Sequence, residues 1–69
     1  MQIRSYSKSE LAQAYAPHLT VHGAVNRLMN WIKYNAPLYQ ALQQSGYTVN
    51  QRLFTVRQVT LIFEYLGEP

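Results

Sequence analysis

Apolar residues recur at helical spacing in four blocks of this chain, and each block is bracketed by residues that start or stop a helix. Ser7-Lys8-Ser9-Glu10 reads as a capping box: the Ser7 hydroxyl accepts from the Glu10 N–H and the Glu10 carboxylate reaches back. Leu11, Ala14 and Tyr15 then share one face, and Pro17 ends the first helix because the residue before a proline is pushed out of the α region. Thr20 caps the second helix, Val21 to Tyr34. Its expected apolar stripe is Val21, Ala24, Val25, Leu28, Trp31 and Ile32, with His22, Asn26, Asn30 and Lys33 opposite and Arg27 beside them. Gly23 in its first turn would allow close packing against the first helix. Asn35 caps the third helix, with Pro37 in the first turn, where a missing N–H does no harm. Leu38, Ala41 and Leu42 face inward, Gly46 suits the left-handed residue past the end, and Tyr47 supplies the accompanying apolar contact. Tyr47 to Phe54 lacks a helical period and predicts a loop or short wing. Thr55-Val56-Arg57-Gln58 is a second capping box, with Phe54 and Val59 placed as a hydrophobic staple. Val59, Ile62, Phe63 and Leu66 give the last helix its buried face, and Gly67 ends it.

The pattern predicts an all-α fold: one small four-helix domain over residues 1–69, with a helix-turn-helix-like core and a short wing or loop before the last helix. A chain this short buries only about 60% of the surface it exposes when unfolded. The 48% hydrophobic content and the large rings of Trp31, two Phe and six Tyr suit that constraint. Tyr34, Tyr39 and Tyr47 could stack on bases of a single strand. Each stands at the edge of an apolar face, so buried rings with wet hydroxyls are the expected reading. There is no cysteine for a disulfide or thiolate metal site, which fits a reducing cytoplasm. No apolar run marks a signal peptide or a bilayer span.

Charge changes the picture more than composition does. The net charge is +3, and the three acids are Glu10, Glu64 and Glu68. Between Glu10 and Glu64 the only formal charges are Arg27, Lys33, Arg52 and Arg57. An acid-free basic middle attracts polyanions, although Asn and Gln also make an ordinary solvated surface. Acid–base catalysis has little to draw on. Glu10 is occupied by its cap, Ser7 and Ser9 lack a neighbouring His base, and there is no Gly-rich phosphate loop. His18 and His22 straddle the Thr20 cap without a further ligand nearby. The expectation is a protein that is not an enzyme and needs no metal or cofactor.

The first two helices follow the plan of a helix-turn-helix, whose second helix enters the DNA major groove. Asn pairs bidentately with adenine and Arg with guanine, so Asn26, Arg27 and Asn30 are the candidate base readers. Lys8, Lys33, Arg52 and Arg57 are the candidate phosphate contacts. The turn through Ala16-Pro17-His18 is about two residues longer than the tight turn of that motif. Two readings therefore stand: a DNA-binding regulator acting as a homodimer or with a partner, and a protein-interaction module with no nucleic-acid role.

Arg52-Leu53-Phe54-Thr55, Gln58-Val59, Leu61-Ile62 and Leu66-Gly67 resemble the wing and following helix of excisionase and MerR-type winged helix-turn-helix proteins. That resemblance implies that Arg52 meets phosphate and Phe54 packs into the core. The whole chain resembles a family of short bacterial proteins known as a domain of unknown function. The marks are Ile3-Arg4-Ser5-Tyr6, Lys8 to Ala12, Trp31-Ile32, Gly46-Tyr47, Gln51-Arg52, and Phe54-Thr55-Val56-Arg57-Gln58 running to Glu64-Tyr65-Leu66-Gly67-Glu68-Pro69. Val56 stands where that family has proline, and either suits a first helical position. The resemblance brings no established activity, and implies a complete small protein.

Overall fold

The computed structural model describes all 69 residues. The order of elements is β1 (Tyr6–Ser7), α1 (Lys8–Tyr15), α2 (Val21–Tyr34), α3 (Ala36–Gln44), β2 (Leu53–Phe54) and α4 (Val56–Leu66). The four helices are those the periodicity predicts. They form a small all-α domain in which α1 packs along α2, α2 meets α3, and α3 meets α4. The arrangement is consistent with a helix-turn-helix-like core, with five residues, Ala16 to Thr20, between α1 and α2.

The helix ends behave as the sequence chemistry requires. Glu10 N–H donates to Ser7 Oγ at 3.1 Å, and Ser7 N–H donates to the Glu10 carboxylate at 3.0 Å. Thr55 and Gln58 repeat the exchange at 3.2 and 3.0 Å. Past α3, Tyr47 N–H donates to Leu42 O and Gly46 N–H to Gln43 O, at 3.0 and 3.1 Å. This pair of bonds is a Schellman closure, and it places Gly46 at a φ of 93°. Tyr47 is thereby turned into the core.

Fourteen buried apolar residues form one cluster drawn from every element. Several faces differ from the sequence expectation. In α1 the buried residues are Leu11 and Ala12, followed by Ala16 at the cap, whereas Ala14 and Tyr15 are only partly covered. The tight α1–α2 packing selects the small alanines. In α2 the core positions are Ala24, Leu28 and Ile32. Val21 and Trp31 are exposed: one is the first residue of the helix, and the other lies on its flank. Gly23 does not meet α1; a Cβ there would lie 3.3 Å from Thr20 Oγ1 and 3.8 Å from Leu19 Cβ.

A short wing precedes α4, as the sequence predicts. Its strand β2 pairs antiparallel with β1, matching Tyr6 with Phe54 and Ser7 with Leu53. Lys8 N–H extends the pairing to Arg52 O at 2.8 Å. Tyr6 and Phe54 each precede a capping box, and each is buried as the staple residue of its helix. The two helix starts are thus joined through their staple residues. The Tyr6 ring is covered on its outer side by the Arg4 guanidinium, 3.9 Å from its centroid.

Candidate functional site

Burial of Ala24, Leu28 and Ile32 fixes the rotation of α2. Successive residues turn by about 100°, so His22, Asn26, Asn30 and Lys33 face outward, and all four are exposed. Arg27 is exposed on the flank that carries Trp31, while Val25 and Met29 are half-buried on the other. Neither ion pair of the structure involves Asn26, Arg27, Asn30 or Lys33. The helix has no acid along its length.

A recess of about 380 Å³ opens beside the Val25 flank, lined by Ser7, Lys8, Ser9, Val25, Asn50, Gln51 and Arg52. The β1–β2 pairing brings Lys8 and Arg52 there from distant parts of the chain. Arg52 is exposed. Lys8 is more constrained: its Nζ donates to Val49 O at 3.0 Å and lies 5.7 Å from the Tyr47 ring centroid. Partial burial pulls its pKa below the ordinary amine value. No acid lines the recess. The nearby Glu10 carboxylate is turned to Ser7, whose hydrogen bonds hold its pKa below the usual value, with Arg4 adding to the effect.

The recess does not gather every sequence candidate. Arg57 stands exposed in the first turn of α4, two turns before Glu64 on the same outward face. Lys33 belongs to the outward face of α2 and not to the recess lining. Sequence reasoning missed two residues that shape this region. Tyr6 carried a signal, since an aromatic directly before a capping box is a staple position. Gln58 carried only its capping signal, yet it is 1% exposed.

A second surface lies at the far end of α2. Trp31, Tyr34, Asn35, Ala36, Pro37 and Leu66 line a shallow apolar groove. Tyr34 is 86% exposed, which corrects its expected place at the core rim, because the α2–α3 corner turns its ring away from the protein. Tyr47 is buried, and Tyr39 is partly buried against the core. The Trp31 and Tyr15 rings stand nearly perpendicular, 5.9 Å between centroids.

The Tyr15 hydroxyl donates to Gly67 O and so ties α1 to the end of α4. Burial, and secondarily Glu68, push its pKa up to about 12 from 10.0. Folding therefore retains a proton that the unfolded chain releases first. The stabilisation is complete below pH 10 and is lost as pH climbs from there to about 12. Denaturant titrations across that window should show falling stability, and Tyr15→Phe should flatten the fall; an unchanged slope in the variant would assign it to other groups.

His18 and His22 are both exposed, and no group of three or more His, Cys, Asp or Glu side chains converges. No helix is long and apolar enough to cross a membrane. Fold and site together define a small all-α domain with a polar, acid-free helix face bordered by a basic recess. The chain belongs to the family described as domain of unknown function (DUF4248), whose model matches residues 2–69. No curated relative and no solved structure matches the chain.

Proposed function

We propose that this is a small, non-catalytic DNA-binding protein that presents the outward face of α2 to the major groove of a duplex. The observation that carries the reading is the juxtaposition of that acid-free face with the recess bearing Lys8 and Arg52. Asn26 and Asn30 stand one turn apart and are free to pair with base edges, and Arg27 lies beside them. Lys33 extends the cationic face, while Lys8 and Arg52, in the recess on its Val25 flank, are the proposed phosphate contacts. Arg57 would add a contact only on DNA that wraps toward α4. A single module of this size offers a small contact area, so the protein acts as a homodimer or beside a protein partner. In a homodimer, half-sites would be separated by about 34 Å, close to the 31 Å longest dimension of the molecule.

The test is a shift assay with fragmented genomic DNA at low and physiological salt. Binding that weakens steeply with salt is expected. In a selection from random duplexes, Asn26→Ala or Arg27→Ala should relax preference at one position, worth about 1–3 kcal/mol of discrimination per bidentate pair. Absence of duplex binding even at low salt removes the proposal.

A protein-docking role is the second reading, favoured by the exposed rings of Trp31 and Tyr34. It expects Tyr34→Ser to abolish partner capture and the α2 asparagine variants to have no effect.

A further inference from the structure

A capping-box glutamine needs one bond, from its side-chain oxygen to the N–H of the capping residue. Gln58 makes that bond, with Thr55 N–H at 3.0 Å, and goes further. Its Nε2 donates at 3.1 Å to Ser45 Oγ, which in turn donates to Leu42 O at the end of α3. Its Oε1 also accepts from Gln51 Nε2. Gln51 passes the connection on: its Nε2 reaches Leu53 O, and its Oε1 accepts from Thr48 N–H at 3.4 Å. Gln58 is the only polar residue among the fifteen buried ones, and no buried side-chain polar atom is left without a partner. A surface cap would not require this burial, and a buried amide left unpaired is costly. The recipients of the network lie at the surface. Thr48, Val49, Asn50, Arg52 and Leu53 are exposed, and Gln51 alone in that run is half-buried.

We propose that Gln58 is a positioning residue: through Gln51 it holds segment 48–54 in the conformation that presents Arg52 at the recess beside α2. What Arg52 then touches rests on the DNA-binding reading; the positioning itself does not. Two bonds from Lys8, to Val49 O and Arg52 O, fix the segment toward α1. The Gln58–Gln51 link fixes it toward α3 and α4. The recess keeps its shape only while both sides hold.

Amide hydrogen exchange and salt-dependent binding of fragmented genomic DNA test this on the full chain. Gln58→Met keeps side-chain length and removes the amide. Exchange at Thr48 and Gln51 should then accelerate at least about tenfold more than at Leu28 and Ile32, because the α2 core amides lie outside the network that Gln58 closes. Gln58→Glu keeps acceptors toward Thr55 and Gln51 but loses the donation to Ser45 and places a charge at a buried position, so it should restore only part of the Gln51 protection. The slope of log K against log salt should fall in Gln58→Met by about as much as in Arg52→Ala, about 0.9 for one phosphate. The double variant should fall no further. Segment and core amides accelerating together, or protection unchanged in a folded variant, overturns the proposal. Should Gln58→Met fail to fold, Gln51→Ala breaks the same link from the segment side and is read in the same way. Should the parent chain bind no duplex, the DNA reading fails, and amide exchange alone decides the positioning role.

Discussion

Phe54→Ala should leave the domain barely folded at 37 °C. Phe54 is 1% exposed, and its ring stacks on Tyr47 at 5.9 Å between centroids. It is also the staple of α4 and the cross-strand partner of Tyr6, and its carbonyl accepts from Ser5 Oγ at 2.7 Å. Truncating a buried phenylalanine costs about 3–5 kcal/mol. A domain of this length has a total stability of about 3–10 kcal/mol. The loss is therefore a large share of everything that holds the fold. A thermal melt followed by circular dichroism should drop by about 10–40 °C, or lose its transition. Leu53→Ala, at the adjacent but exposed position, should stay within about 0.5 kcal/mol of the parent. A Phe54→Ala melt within a few degrees of the parent would show that the β1–β2 junction is not what secures the two helix starts.

The largest functional effect is expected from removing Arg52 and Lys33 together. Both are exposed, and they approach the outward face of α2 from the recess and from its C-terminal half. Each phosphate neutralised contributes about 0.9 to the slope of log K against log salt. The double alanine variant should therefore lower that slope by about 1.8, and weaken duplex binding on the order of 100-fold at 0.1 M salt. The melting transition should be nearly unchanged, because neither side chain takes part in an ion pair. Arg57→Ala is the informative comparison. Its side chain shares a face with Glu64, away from the recess, so it should reduce the slope by less than Arg52→Ala does. Equal slopes for Arg57→Ala and Arg52→Ala would move the nucleic-acid surface from α2 toward α4.

The helices could be read from sequence because their boundaries are set by local chemistry. A capping box, a proline after a helix or a glycine at positive φ involves atoms within a few residues of each other. Ser7 with Glu10, Thr55 with Gln58, and Gly46 with Tyr47 all form the expected bonds for that reason. Faces were less secure. Periodicity identifies an apolar stripe but not its width, so Val21 and Trp31 entered the expected core although both are exposed. Ala12 and Ala16 carry little apolar signal in the sequence, yet the packing of α1 along α2 demands small residues there.

The candidate site divides the same way. Asn26, Arg27, Asn30 and Lys33 could be placed on one side of α2, since a helix of known phase fixes their direction. That Lys8 and Arg52 border a common recess could not be read locally, because 44 positions separate them in sequence and a two-residue strand pairing joins them. Such a short pairing leaves almost no propensity signal; it is stabilised by Tyr6 and Phe54 entering the same core. The role of Gln58 is nonlocal too. A glutamine at that position caps a helix wherever it occurs, and only the packing of α3 against α4 buries it beside Ser45 and Gln51. By itself the sequence determined the helices, their ends and the polar face of α2, since these depend on neighbours along the chain. Tertiary structure decided which flank of that face is basic and what holds it in place, since both depend on residues that meet only when the core closes.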